Sequence, residues 1–356
     1  MIKIIHTADI HLGSKINANL SGEKMEKRRL EVRETFMRLV DFAKENDVKA
    51  IMLCGDVFES DNPFKKDKDW FYNLVEKHPD IDFLYLRGNH DSNSESPLNK
   101  EFSNLILFDE DWSYKTYGNV VIGGIELKDV NKKSLYSTLN LNGENINIVM
   151  LHGNVSSSEG KDNILINKLK DKNIDYLALG HIHAYKQEKL DARGVYAYSG
   201  CLEGRGNDET GEKGFVLLTI SNTVESQFIH FSKRQIVEEI VDITDIADAY
   251  SVYQKVKTTI KTSADNLLRV ILTGENVIDD TSLESDLEKM LENDYFSVTV
   301  KDKTTKKIDI SKYEKDLSLQ GEFVREVYAN SELTDEEKSK IIKLGIKALT
   351  GGKIDD

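Results

Sequence analysis

The stretch Ile2-Lys3-Ile4-Ile5-His6-Thr7-Ala8-Asp9-Ile10-His11 decides the fold. An apolar, β-branched run reads as a buried strand, and an aspartate and a histidine follow directly on its carboxyl end. Four more segments repeat the pattern. Ala50 to Leu53 precedes Gly55-Asp56, and Phe83 to Leu86 precedes Gly88-Asn89-His90-Asp91. Ile146 to Leu151 precedes His152-Gly153-Asn154, and Tyr176 to Leu179 precedes Gly180-His181-Ile182-His183. In open α/β sheets the residues just past the carboxyl ends of neighbouring strands meet in space. Five distant pieces of chain are therefore expected to build one cluster of metal-binding and proton-handling side chains.

Between these strands the pattern turns helical. Residues 24 to 45 put Val32, Phe36, Leu39, Val40 and Ala43 on one face, and residues 67 to 77 read as a shorter helix. After Gly118 the strands come more densely, at 120–127, 146–151, 195–198, 214–220 and 224–231, as expected if a second sheet packs on the first. The fold class is a layered α/β domain over residues 1–232. A smaller α/β unit is expected over 233–309, with strands at 236–243, 267–273 and 295–301 and helices at 245–262 and 281–293. Lys301 to Asp309 reads as a strand end and connector. Residues 310–356 form a C-terminal helical segment, with helices at about 313–329 and 335–349; Thr334 and Glu337 resemble a capping box. The apolar residues Phe323, Val324, Val327, Tyr328, Ile341, Ile342, Ile346 and Leu349 must be covered, by the chain's own body or by a partner.

Composition narrows the class. The 356 residues are 39% hydrophobic and 31% charged with 3 prolines, a globular rather than a disordered composition, and nothing reads as a membrane span or an export signal. A cytoplasmic protein is expected. Two cysteines, Cys54 at a strand end and Cys201 in the turn Ser199-Gly200-Cys201, make neither a disulfide framework nor a thiolate metal site. The net charge of -14 argues against a surface that coats nucleic acid, because such binding is driven by release of counterions from phosphates to lysine and arginine. It does not exclude DNA: two divalent ions would add four positive charges where a phosphate sits, and basic clusters occur at 24–29 and 301–307.

Imidazole, carboxylate and one amide oxygen, without thiolate, suit hard or borderline divalent ions such as Mn²⁺, Fe²⁺ or Zn²⁺. In an extended strand, residues i and i+2 share a face about 6 to 7 Å apart, a spacing that fits a pair of ions better than one. Where both members reach the same ion the chain has to curl, and Gly13 and Gly180 are the expected turn residues. Two ions sharing a carboxylate lie about 3.5 to 4 Å apart and clamp the two sides of a phosphoryl group. Hydrolysis of a phosphate ester is the natural reaction.

The series Asp-x-His, Gly-Asp, Gly-Asn-His-Asp, His-Gly and Gly-His-x-His resembles the calcineurin-like metallophosphoesterase superfamily. Within it, His6-Thr7-Ala8-Asp9-Ile10-His11-Leu12-Gly13, Gly55-Asp56-Val57-Phe58 and Arg87-Gly88-Asn89-His90-Asp91-Ser92 look like the SbcD-type DNA repair nucleases. The resemblance implies a four-layer αββα sandwich with a smaller capping domain and C-terminal helices. It implies one ion on Asp9, His11, Asp56 and His183, and another on Asp56, Asn89, His152 and His181, with Asp56 as the bridge. It implies that His90 faces the scissile phosphate as a catalytic group, with Asp91 holding its ring, and that water made acidic by the ions attacks in line. Mn²⁺ is the expected metal, with Fe²⁺, Zn²⁺ or Mg²⁺ as alternatives. The implied partners are DNA, an SbcC-type coiled-coil ATPase docked on the terminal helices, and a second copy of the chain in a homodimer, with no membrane. Arg205, in the turn Ser199 to Arg205, is a candidate contact to a DNA phosphate. His6 is expected to face away from Asp9 and His11, as second shell or core.

Three functions compete at this point: an exo- or endonuclease of double-strand break repair, a small-molecule or cyclic-nucleotide phosphodiesterase or phosphatase, and a mainly non-catalytic DNA-end-binding scaffold. Retention of every candidate ligand weighs against the last, because buried charges are costly without the ions that pair them.

Overall fold

The computed structural model describes residues 1–14, 16, 20, 22–91, 102–278, 282–306 and 310–349. Ser92, residues 307–309 of the expected connector and residues 350–356 lie outside these. By contact density the chain divides into two compact units. The first holds Met1–Glu238, Thr262–Arg269 and Glu292–Thr299; the second holds Glu239–Lys261, Val270–Leu291 and Val300–Asp356.

In the first unit the apolar runs that precede the motifs become strands, and others join them: β1 (Ile2–Thr7), β2 (Ala50–Cys54), β3 (Asp82–Leu86), the unexpected β4 (Leu105–Leu107) and β5 (Ser113–Tyr117), β6 (Val120–Gly124), shorter than the expected 120–127, and β7 (Ile146–His152). The short strands β8 (Asn154–Ser156) and β9 (Asn163–Leu165) come next, followed by β10 (Tyr176–Gly180), β11 (Lys186–Lys189), β12 (Val195–Tyr198), β13 (Gly214–Ile220) and β14 (Val224–His230). They form two six-stranded sheets, ordered β14-β13-β1-β2-β3-β4 and β11-β12-β10-β7-β6-β5. In the first sheet β1, β2, β3 and β4 are parallel, and in the second β6, β7, β10 and β12 are parallel. Every motif-bearing strand therefore leaves its sheet by a shared edge. Gly180 stands opposite His152 in the pairing of β10 with β7, so two of the motifs start side by side.

Burial explains the layers. Ile4, Met52, Leu84, Ile148, Ala178 and Val216 pack between the sheets, each fully buried. Alternate residues of the same strands, Ile5, Leu53 and Phe83, face α1 (Gly22–Glu45) and α2 (Lys65–Glu76), where Val32, Phe36, Leu39 and Phe71 cover them. Strands buried on both faces read as continuous apolar runs for this reason. On the far side of the second sheet the helical layer is thin: the four-residue α3 (Leu135–Thr138), with Leu139, Leu141, Leu169 and Ile174, covers Val149, Leu177 and Leu179. The αββα sandwich expected from the resemblance is thus present with an unequal pair of outer layers.

One polar network ties α1 to the loop after β12. Arg28 is completely buried and donates to Glu31 (2.6 Å), Glu203 (3.0 Å) and the Gly204 carbonyl (2.7 Å). Thr35 and the Lys233 backbone N–H also donate to Glu203, and Arg234 donates to Glu31. Breaking a buried pair by removing one partner leaves an uncompensated charge. Arg28→Met is expected to lower the unfolding free energy by about 3 kcal/mol, read as a fall in the urea midpoint at unchanged slope.

The second unit contains parts of β15 (Ile236–Asp242), β16 (Leu267–Thr273) and β18 (Ser297–Asp302), three strands of one sheet, through which the division between the units passes. A two-stranded pair, β17 (Glu275–Asn276) with β19 (Thr305–Lys306), lies beside it in sequence. Helix α4 (Ala249–Thr259) is shorter than the 245–262 read from periodicity, because Asp248 caps it by accepting from the Ser251 N–H, and α5 is Leu283–Leu291. Helix α6 likewise starts at Leu319 rather than 313, capped by Ser318, and runs to Ala329; α7 is Asp335–Leu349 and begins with the expected capping box of Thr334 and Glu337. The second unit contains none of the candidate ligands. No helix among the described residues is long and apolar enough to cross a membrane.

Candidate metal centre

Beyond the ends of β1 and β2 the two loops run on in register. Asp9 N–H donates to the Gly55 carbonyl, His11 to Asp56 and Leu12 to Val57, at 3.0, 2.9 and 2.8 Å. These bonds hold Asp9, His11 and Asp56 at φ of 52°, 50° and 52°, in the left-handed region that L side chains rarely occupy. The curl that lets Asp9 and His11 aim together is therefore made by the ligand residues themselves. Gly13, at φ 85°, turns as expected, but Gly180 does not: it is strand, and its missing side chain serves close packing, since a Cβ there would lie 1.8 Å from the Cys54 carbonyl oxygen. Gly55 serves both needs, with φ 92° and a would-be Cβ 2.0 Å from His152 Nδ1.

All seven expected ligands come together. His11 Nε2 lies 3.3 Å from His183 Nε2, 4.0 Å from Asp9 and 3.8 Å from Asp56, and His183 Nε2 lies 3.8 Å from Asp9. On the other side of Asp56, His152 Nε2 is 3.4 Å from Asp56 Oδ2 and 3.1 Å from Asn89 Oδ1, which is 3.0 Å from His181 Nδ1. The His181 backbone N–H, from the second sheet, donates to both oxygens of Asp9, from the first.

The donor chemistry fits a pair of cations. His152 Nδ1 is 2.9 Å from the Cys54 carbonyl, which only accepts, so Nδ1 carries a proton and Nε2, on the Asp56 side, is the nitrogen that an ion would take in exchange for its proton. His183 Nδ1 is 2.7 Å from Glu209 and 3.3 Å from Arg205; the short contact to the carboxylate puts the proton on Nδ1 and leaves Nε2 as a lone pair. His11 Nδ1 lies 2.9 Å from a Glu59 carboxylate oxygen, an ion-pair contact without the alignment of a hydrogen bond. Lone pairs and carboxylate oxygens thus converge on both sides of Asp56, an arrangement that a divalent ion on each side satisfies. Two sets, Asp9 with His11 and His183, and Asp9 with Asp56 and His152, each bring their donor atoms within 4.8 Å of one another.

Without ions the cluster balances its charges with protons, which bound cations would displace. Burial pushes the Asp9 carboxyl up to about 6, with Asp56 adding to the rise against the pull of His152 and His183. Burial also lowers His11 to about 4, which keeps its lone pair available. Burial raises Asp56 too, but the hydrogen bond and charge of His152, with His11 and the His90 N–H, outweigh it and hold the group well below the usual carboxylate range. Burial works against a charged His152, yet Asp56 and Asp9 carry it up to about 9.

His90 sits beside the cluster, its ring centroid 4.9 Å from that of His11, and its backbone N–H donates to Asp56 Oδ1 at 2.9 Å. Its ring is held by the Glu59 carbonyl oxygen, 3.1 Å from Nδ1, and not by Asp91. Asp91 is fully buried and points the other way, accepting from the N–H groups of Gly88 (2.7 Å), Val57 (3.0 Å) and Phe58 (3.3 Å) and from the Tyr85 hydroxyl (2.6 Å). It fixes the loops that carry Asp56 and Asn89. The Arg205 guanidinium is drawn inward by Glu59 (2.8 Å) and Glu209 (3.2 Å), leaving the side chain 12% exposed. His6 is core, bonded to Tyr176 and Leu179, and Cys201 is buried with its thiol donating to the His183 carbonyl.

Glu59 and Glu209 escaped the sequence reading. Glu59 directly follows Gly55-Asp56-Val57-Phe58, and a carboxylate one step past a ligand motif was the available signal; Glu209 had none.

The family model described as calcineurin-like phosphoesterase matches residues 2–185, a span that holds all seven expected ligands. This chain belongs to the calcineurin-like phosphoesterase family. It is similar over most of its length to curated proteins of archaea and bacteria. The DNA double-strand break repair protein Mre11 of Saccharolobus solfataricus is 24% identical over 342 residues, covering 88% of this chain and 86% of that protein. Mre11 of Sulfolobus acidocaldarius is 24% identical over 294 residues, covering 77% and 75%. The uncharacterized metallophosphoesterase YhaO of Bacillus subtilis is 25% identical over 299 residues, covering 77% and 72%. As a calcineurin-like phosphoesterase the chain is a metal-dependent hydrolase of phosphate esters, and its donor set is that of a two-cation centre.

Proposed function

We propose that this phosphoesterase is a two-metal nuclease that hydrolyses DNA phosphodiesters during double-strand break repair in the cytoplasm, with Mn²⁺ as its working metal. The observation that carries the reading is the convergence of seven N and O donors around Asp56 with His90 beside them, in a chain whose named relatives align along most of its length. Bound divalent ions supply an acidified water and neutralise charge on the phosphoryl oxygens. The chain's own residues do the rest. Asp9, His11, Asp56 and His183 would hold one ion, and Asp56, Asn89, His152 and His181 would hold the other. The Glu59 carbonyl fixes the His90 ring through Nδ1–H, and as an imidazolium the ring carries a second proton on Nε2 that passes to the leaving oxygen and leaves a neutral imidazole behind.

The C-terminal helices support a place in a complex with a coiled-coil ATPase and a second copy of the chain. Leu317 and Leu319 are 97% and 67% exposed, and Tyr328, Leu344 and Leu349 add apolar surface of the kind that partners cover.

A second reading, hydrolysis of a small phosphodiester, draws on a cavity of about 260 Å³ beside Asn89 and His152, whose wall carries Arg87, Lys128, Lys132 and Lys161 together with Glu126, Asp129 and Asp162. One assay separates the two. The purified chain with Mn²⁺ is expected to degrade linear duplex or single-stranded DNA, to stop on chelation, and to turn over cyclic nucleotides slowly. Intact DNA alongside rapid cyclic-nucleotide hydrolysis would make the second reading the correct one.

A further inference from the structure

Inward-facing ligands need their rings fixed from outside, and the two sides of the centre are fixed differently. His11 and His183, which meet at one ion, each turn Nδ1 to a carboxylate: Glu59 at 2.9 Å and Glu209 at 2.7 Å. Arg205 closes the arrangement into a ring. One guanidinium nitrogen lies 2.8 Å from Glu59, another lies 3.2 Å from Glu209, and the Arg205 backbone N–H donates to the second Glu209 oxygen at 2.6 Å. Glu209 and Arg205 are each 12% exposed, and Glu59 is 34% exposed. On the other side there is no counterpart among the described residues. His152 leans on a neutral backbone carbonyl, Cys54 O at 2.9 Å, and His181 Nδ1 lies 3.0 Å from Oδ1 of Asn89, itself an expected ligand.

We propose that Glu59, Arg205 and Glu209 form a positioning clamp for one ion only, the one held by Asp9, His11, Asp56 and His183, and that this ion binds more tightly than its neighbour. The inference rests on the two-ion reading of the site. Its physical basis is direct. A carboxylate on the far nitrogen fixes the tautomer and orientation of an imidazole and raises its basicity toward a metal, whereas a neutral carbonyl does the first with less of the second. The guanidinium keeps the two carboxylates apart and spends their remaining charge, so they act on the rings without repelling each other. Because the clamp touches neither His152 nor His181, its loss leaves the second ion alone.

The test uses the full chain stripped of metal and titrated with Mn²⁺ by calorimetry, with electron paramagnetic resonance reporting coupled ion pairs. The wild-type chain is expected to take two ions with separated affinities. Glu209→Gln is expected to weaken the tighter ion by roughly 10- to 100-fold and to leave the weaker one unchanged, so that the coupled signal appears only at higher Mn²⁺. Glu59→Gln is expected to act on the same ion, less strongly because Glu59 is more exposed, and Glu209→Asp to recover part of the loss. Unaltered binding in Glu209→Gln overturns the proposal. So does equal weakening of both ions, the result expected if Glu209 merely supports the fold, and the unfolding temperature of the metal-free variants identifies that case. Failure of the wild-type chain to bind two ions would instead overturn the reading of the site as a two-metal centre, and the absence of DNA cleavage would leave the clamp untouched.

Discussion

Asp56→Ala is expected to lower turnover of any phosphodiester by roughly 10³-fold or more, because the side chain serves both halves of the centre at once. Its Oδ2 lies 3.8 Å from His11 Nε2 and 3.4 Å from His152 Nε2, while Oδ1 accepts the His90 N–H. Alanine removes the carboxylate that the proposed pair of ions would share and frees the backbone that presents His90. Turnover of bis(p-nitrophenyl) phosphate and bound Mn²⁺ per chain are the two measurements. Both are expected to collapse together, and Asp56→Asn, which keeps an acceptor for His90, is expected to fail in the same way. A variant that retained two ions and near-normal turnover would remove Asp56 from the bridging position.

The second large effect separates proton transfer from metal binding. His90→Gln is expected to reduce kcat on DNA by about 10²- to 10⁴-fold, the span typical of a lost acid-base group. Manganese binding is expected to be unchanged, since the His90 side chain is outside the seven-donor set and its backbone N–H still reaches Asp56. The leaving group provides the control. A DNA oxygen leaves as a strongly basic alkoxide and needs a proton, whereas nitrophenolate leaves without one, so the loss on the nitrophenyl diester is expected to be far smaller. Equal losses on the two substrates would assign His90 to binding the phosphoryl group instead of protonating the leaving oxygen.

The architecture was legible because each strand carrying a motif is buried on both faces, so its residues are apolar whichever way they point, as in Ala50-Ile51-Met52-Leu53. The ligands were legible because chemistry fixes their residue types and the parallel sheets fix where they exit. What escaped lies in the loops. The left-handed backbone of Asp9, His11 and Asp56 is imposed by hydrogen bonds between residues nearly fifty positions apart, and local sequence carries no trace of such bonds. Asp91 adjoins His90 in sequence, which suggests a partnership, yet neighbours in a turn point apart and the buried one serves the backbone of three other residues. Arg205 read as a surface cation because its two carboxylate partners, Glu59 and Glu209, stand 146 and 4 residues away from it and only the fold unites all three.

The same left-handed geometry narrows the sequences able to build this centre beyond what coordination chemistry alone demands. At positions 9, 11 and 56 a replacement must carry a donor atom and also tolerate a backbone that favours asparagine, aspartate and glycine and resists branched side chains. Coordination would accept glutamate in place of aspartate, given room; the main chain is less forgiving. Any lineage drifting toward a different metal is therefore freer to change at His152, whose backbone is ordinary strand, than at the residues beside the ends of β1 and β2.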